Sequence, residues 1–324
     1  MTDPTANGPT VGIVGYGEVG SAFAERFRDA GVDVVVLNRS PDALRDRLAG
    51  TSIAVADGPI ALASETDLVL SCVWPATAVE AAERVAPGLA DGQPFLDLNS
   101  VGPTTVERVV DVVVDAGGAP LKATIMGSVG ARGADVRIPV AGPGRQGTIA
   151  LLRESGFTVD DAGEDPVTPA AIKTFRSLFT KGLRQLAAET LVPAAAYGVR
   201  EDVLDDLSGL FDDRPVDEWL RDGLENTPRH AARRLGELAE VSEAVDAAGY
   251  RAPTLDATID LHRHLRDAPP GRSPGDPDEP GDSSDSGAPD EAREADYVAV
   301  LEALDPHLAV ERESTVDGEH PVDR

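Results

Sequence analysis

Cysteine is nearly absent from this 324-residue chain: Cys72 stands alone, which excludes an internal disulfide and a thiolate-held zinc cluster. Basic residues are few beside acidic ones, 29 against 57, and the formal net charge of -28 repels nucleic acid phosphates and anionic membrane surfaces. Lysine is scarcer still: only Lys122, Lys173 and Lys181 occur, and every other long cationic side chain is arginine. No apolar run approaches the ~20 residues that a membrane-spanning helix needs. The opening "MTDPTANGPT" has no basic segment followed by an apolar one, so no secretory signal is read there and the cytoplasm is the expected compartment.

What the chain has in quantity is carboxylate. Residues 267 to 296 hold ten Asp or Glu and two Arg, a net of -8, which leaves -20 on the rest. An acidic tail alone therefore does not account for the excess. A hydrated carboxylate surface of this density suits concentrated salt, where screening within a few ångströms removes self-repulsion. A salt-adapted protein is the expectation, and a merely acidic protein the alternative. Hydrophobic residues make up 41% of the sequence, enough at this length for two domain cores.

From residue 10, short β-branched runs alternate with helix-length segments, the pattern of a parallel α/β sheet. "TVGIVG", "DVVVLN", "SIAVA", "DLVLSCV" and "PFLDLN" read as five successive strands, apolar enough to be buried on both faces. "PLKATIM", "RIPVAG" and "FTVDDAG" extend the sheet, and this first domain is placed at residues 1–163. Long helical segments follow, at about 168–197, 201–222, 227–248 and 253–266, so the second domain, 164–266, is all-α. Residues 267–290, rich in Pro, Gly, Ser and Asp, have almost nothing to bury and are expected to be disordered. A last helix, "EAREADYVAVLEALDPHL", opens the closing segment 291–324.

"VGIVGYGEVGSAFAERF" sets Gly15, Gly17 and Gly20 in a GxGxxG pattern, directly after a strand and at the start of a helix. The first glycine permits the tight turn, the second lets backbone approach a pyrophosphate, and the third allows close packing of helix on strand. In this position the pattern predicts a Rossmann domain, a doubly wound parallel sheet that binds a dinucleotide, with Tyr16, Glu18 and Val19 completing the loop. The second strand ends "VVVLNRSPD", where an Asp or Glu would hold the ribose hydroxyls of NAD. Asn38 stands in that place, followed by Arg39 and Ser40. A guanidinium without the carboxylate suits the 2′-phosphate of NADP, so NADP is preferred over NAD, the alternative being that Arg39 is a solvated loop residue.

In "AIKTFRSLFTKG", Ile172, Phe175, Phe179, Leu183 and Leu186 form one apolar seam at helical spacing. Lys173, Ser177 and Lys181 fall on another side, and periodicity alone leaves them a solvated polar face. Composition bears on the choice. A chain that supplies arginine almost everywhere needs lysine only where a cation must shed its proton near neutral pH, as a general acid or base. His262 and His264 sit two apart on a predicted helix and point to different faces, so no metal site is expected.

The glycine loop, "SCVWPATAVE", "FLDLNSVGPTTVERV" and "KTFRSLFTKG" together resemble the β-hydroxyacid dehydrogenase superfamily, which includes 3-hydroxyisobutyrate and 6-phosphogluconate dehydrogenases. The likeness covers roughly residues 10 to 200 and is nearest to a branch with its own type of helical C-terminal domain. It implies a homodimer joined through that domain, and a catalytic role for Lys173. Asn99 and Ser100 occupy a loop that lies near nicotinamide and substrate in such proteins, and Val73, Trp74 and Pro75 follow the fourth strand at the sheet edge where ligands bind. Packing alone would also explain Trp74. Ser177 stands where many members use Asn to bind substrate, and Lys181 matches a lysine of the nearer branch. The usual Ser-Gly-Gly substrate loop is replaced by Ile125, Met126 and Gly127, with Ser128 as the next hydroxyl; this puts the usual substrate in question, unless "TIM" is simply strand core.

The function expected is hydride transfer between NADP and a small hydroxy acid. Lys173 exchanges the hydroxyl proton, and Ser100, Gly127, Ser128, Ser177 and Lys181 contact substrate. The alternatives are an imine reductase and a sensor that binds NADP without turnover.

Overall fold

The computed structural model describes residues 8–212, 214–267 and 300–301, the side chains of 211 and 212 excepted. The acidic stretch from 268 and the last predicted helix lie outside the described residues, save for the helical Val300 and Leu301.

The β-branched runs become strands and the amphipathic segments between them helices. In order these are β1 (Thr10–Val14), α1 (Glu18–Asp29), β2 (Asp33–Leu37), α2 (Pro41–Leu48), β3 (Ala54–Val55), α3 (Pro59–Ser64), β4 (Leu68–Ser71) and α4 (Ala78–Val85). There follow β5 (Pro94–Asp97), α5 (Pro103–Asp115), β6 (Ala119–Ala123), α6 (Val129–Arg132), β7 (Arg137–Ala141), α7 (Gln146–Glu154) and β8 (Thr158–Asp161). The eight strands form one sheet in the order β3-β2-β1-β4-β5-β6-β7-β8. Alternation along the strands feeds two apolar layers, Ile13, Leu70 and Leu96 joining Phe23 and Phe27 on one side, Val69 and Phe95 joining Leu62 and Val113 on the other.

The sheet is parallel, as expected, except at one pairing: β6 and β7 run antiparallel. The connection between them carries only the four-residue α6, which is too short to lead the chain back across the sheet for a parallel return. With α7 as crossover, β7 and β8 pair parallel again. The sheet order reverses at β1, whose neighbours are β2 and β4, and this opens a crevice at the carboxyl ends of β1 and β4.

Beyond the sheet lie α8 (Val167–Ala196), α9 (Arg200–Asp212), α10 (Val216–Ala247) and α11 (Pro253–Asp267). The chain divides into two compact units after Thr180, within α8. In the second unit the buried Glu189 carboxylate accepts from the Thr254 and Leu255 amides and the Thr254 hydroxyl, capping the start of α11. The helix break expected between 222 and 227 falls instead just before α10. Pro215, extended at φ -55 and ψ 143, ends the preceding segment, and Asp217 and Glu218 favour a helix start after it. Pro228 lies inside α10, and around it Asn226 Nδ2 and Thr227 Oγ1 bond the Asp222 and Gly223 carbonyls at 3.0 and 2.5 Å.

Candidate functional site

The three loop glycines carry different burdens. Gly15, at the end of β1, has φ +95, and a Cβ there would lie 2.2 Å from the Cys72 carbonyl oxygen. A Cβ on Gly20 would lie 1.9 Å from the Gly15 carbonyl oxygen, so the first turn of α1 can approach β1 only with glycine there. Around Gly17 the same position is open. Fold packing therefore requires the outer two glycines, while the middle one leaves bare backbone at the N-terminus of a 12-residue helix. Unpaired amides and the positive end of the helix dipole at this point suit a pyrophosphate, and the residues present fit a dinucleotide.

The rest of the loop is placed as follows. Tyr16 is buried, with the Arg47 guanidinium 5.2 Å from its ring centre, and burial raises its phenol above the ordinary value. Val19 packs on the core, and the exposed Glu18 reaches over Gly130. Asn38, Arg39 and Ser40 are exposed beyond β2, and the Asn38 amide oxygen accepts from the Arg39 N–H at 2.9 Å, turning the chain into α2.

Beside this loop, the ends of β4 and β5 are tied by Asn99. Its side chain accepts from the Val73 N–H at 2.7 Å and donates to Ser71 Oγ at 2.9 Å, while its own N–H donates to Asp97 Oδ1 at 2.9 Å. Asn99 is buried with both amide atoms engaged inside the protein, so it shapes the loop. The next residue, Ser100, turns outward. Trp74 is 76% exposed, so packing does not account for it, and Pro75 opens a short 3-10 turn after it.

Lys173, in the second turn of α8, donates from Nζ to Ser100 Oγ at 2.9 Å, which joins two residues 73 apart in sequence. The lysine is half-buried. Burial, followed by the positive charges of Lys122 and Arg176, lowers it from its ordinary 10.5 to about 8. A group so placed exchanges a proton near neutral pH, with a hydroxyl in reach to relay or orient it.

Ser177, one turn along, is half-buried, and Lys181 is exposed at the start of the second unit. Gly127 has φ +151 and is followed by the exposed Ser128, which precedes α6. Ile125 is buried in the core just past the end of β6, so packing accounts for that part of "TIM", while Met126 is half-exposed. The apolar seam of α8 is not core: Ile172 and Phe175 are 57% and 64% exposed.

Sequence reasoning passed over Lys122, the third lysine, as one letter of a strand. Its side chain is buried in β6, and Nζ donates to Asp97 Oδ2 at 2.9 Å, Asp97 O at 3.2 Å and Asn99 O at 2.6 Å. Burial pulls its ammonium down from the ordinary lysine range and the Asp97 carboxylate pulls it back up. Three acceptors on one nitrogen match three N–H donors, so the residue is held as the ammonium. A cation inside an otherwise apolar strand of a chain with three lysines was the signal that marked it.

The fold and the glycine loop define a dinucleotide-binding protein of the Rossmann type. Residues 10–149 match the NAD binding domain of 6-phosphogluconate dehydrogenase, and residues 194–265 match a domain of unknown function, DUF1932. A conserved protein of unknown function, its structure described as similar to 3-hydroxyacid dehydrogenases, is 32% identical over 80% of this chain and 97% of its own, with a TM-score of 0.55. A conserved hypothetical protein from Sinorhizobium meliloti is 25% identical over 94% of this chain and all of its own, with a TM-score of 0.57. An imine reductase from Myxococcus stipitatus, in complex with NADP+, shares the fold at 19% identity over 81% of this chain and 95% of its own, with a TM-score of 0.64. No curated protein matches the chain. The chain belongs to a family of 3-hydroxyacid dehydrogenase-like proteins, and in it this NAD-binding domain is followed by a DUF1932 domain.

Proposed function

We propose that the protein is an NADP-dependent oxidoreductase acting on a small hydroxy acid, with Lys173 as its general acid-base group. The observation that carries this reading is the 2.9 Å bond from Lys173 to Ser100 at a nitrogen lowered to about 8. The backbone at Gly17 and the first turn of α1 would hold the pyrophosphate, and Arg39, without a carboxylate at Asn38, would take a 2′-phosphate. When bound, the nicotinamide supplies or accepts the hydride. As the free amine, Lys173 takes the proton from the substrate hydroxyl; as the ammonium, it returns one to the carbonyl oxygen in the reverse direction. Ser100 orients that nitrogen, and Ser177, Gly127 and Ser128 border the substrate.

A reductase acting on imines is the second reading, favoured by the apolar Met126 in place of a hydroxyl donor. The same ammonium would give its proton to the imine nitrogen as hydride from the nicotinamide reaches the imine carbon, leaving the amine. Assaying purified protein with NADPH and NADH against aldehyde acids, keto acids and cyclic imines distinguishes the two. Turnover of an acid supports the first reading, turnover of imines alone the second, and inertness with tight NADPH binding the sensor. A second copy of the chain is the partner we infer for the exposed seam of α8, since Ile172, Phe175, Leu178 and Phe179 leave a contiguous run of large apolar side chains in solvent.

A further inference from the structure

We propose that Lys122 is a positioning residue for the Lys173 site: its buried ammonium fixes the loop that presents Ser100 to Lys173 and sets a second positive charge behind it. The inference rests on Lys173 being the proton-exchanging group. Two of the three bonds from Lys122 Nζ go to the backbone carbonyls of Asp97 and Asn99, the second of which immediately precedes Ser100. The third goes to the Asp97 carboxylate, whose other oxygen accepts from the Asn99 N–H. Lys122, Asp97 and Asn99 therefore lock one another, and Asn99 extends the lock to Ser71 and Val73. The buried Asp97 carboxylate calls for a cation at this point, and the position of that cation against the Ser100 loop has a second consequence.

That consequence falls on Lys173. The charged groups that act on it are Lys122, from the sheet, and Arg176, on its own helix. Those that act on Lys122 are Asp97, which favours its ammonium, and the half-buried Cys72, whose thiol ionisation is suppressed by burial. Lys122 is immobile and cannot be solvated away, whereas Arg176 is exposed and screened. A fixed cation behind Ser100 thus keeps the proton on Lys173 loosely held.

Competitive acetylation of the full-length protein with acetic anhydride across pH 6 to 11, read lysine by lysine by mass spectrometry, measures the free-amine fraction of Lys173 without turnover. Exposed Lys181 serves as the internal reference. Neutralising the pair with Lys122→Met and Asp97→Asn together is expected to lower labelling of Lys173 at pH 8 at least ~threefold, while Lys122→Arg, which disturbs packing but keeps the charge, leaves it within ~twofold. Unchanged labelling in a folded neutral variant overturns the proposal, as does an equal fall in Lys122→Arg. Should circular dichroism show the neutral variant unfolded, Arg176→Ala decides. Labelling of Lys173 still well ahead of Lys181 supports Lys122 as the acting cation, and labelling that falls to the Lys181 profile overturns it. A failure of Lys173 as the proton-transfer group would appear separately, as unimpaired turnover in Lys173→Ala.

Discussion

Replacing Lys173 by methionine is expected to make the protein more stable at neutral pH. The fold lowers this lysine from its ordinary 10.5 to about 8 by burial and by the charges of Lys122 and Arg176. At about 1.4 kcal/mol per unit, discounted because water still screens the exposed part of the side chain, keeping the nitrogen charged inside the fold costs about 2 kcal/mol. Loss of the bond to Ser100 offsets about 1 kcal/mol of that, which leaves a net gain of about 1 kcal/mol for the variant. The sign follows from linkage. Below about pH 8 the folded and unfolded chains both carry the proton and the penalty is fully present; between 8 and 10.5 the folded chain sheds it first, so stability rises with pH; above that window the penalty is gone. Urea unfolding of both proteins at pH 7, 9 and 10.5 should show a higher midpoint for Lys173→Met at pH 7 and a gap that closes by the last. A variant less stable than the parent at pH 7, or a gap independent of pH, would refute the reasoning. A side chain that weakens the fold it sits in is one retained for its chemistry.

The loop glycines should separate by role. Gly15→Ala meets the Cys72 carbonyl and is expected to lose about 3 kcal/mol of stability or more, while Gly17→Ala melts within about 2 °C of the parent yet binds NADPH at least tenfold more weakly by fluorescence titration. Arg39→Ala should shift the preference between NADPH and NADH by about tenfold or more toward NADH, the worth of a charge-assisted pair to phosphate; an unchanged ratio removes Arg39 from the cofactor site. With -28 charges, the melting temperature should rise between 0.1 and 3 M KCl, and a flat or falling series contradicts salt adaptation.

All eight strands and the nucleotide loop were legible in the sequence, because β-branched runs buried on both faces and glycines at a strand-to-helix junction are local signals. The antiparallel β7 was not, since it depends on the connection made by α6, and a strand's direction leaves no mark on its own residues. The helix break was misplaced because a proline can precede a helix or sit inside one, and the extended backbone at Pro215, with Pro228 inside α10, emerges only in the fold. At the site, Lys173 was read from composition and the family likeness, and its partner Ser100 from the loop. The inward turn of Asn99 and the lock on Lys122 were hidden, because both depend on β4, β5 and β6 lying side by side, and no spacing encodes which strands are neighbours.

Steady-state turnover of Lys173→Ala, on whichever acid or imine the parent protein reduces with NADPH, tests the central claim most directly. The parent should lose activity as pH falls through the Lys173 transition in the oxidative direction, where the free amine is needed, and the variant should fall ~100-fold or more in kcat with cofactor affinity kept. Turnover within about threefold of the parent, with an unchanged pH profile, would contradict a proton-transfer role for Lys173.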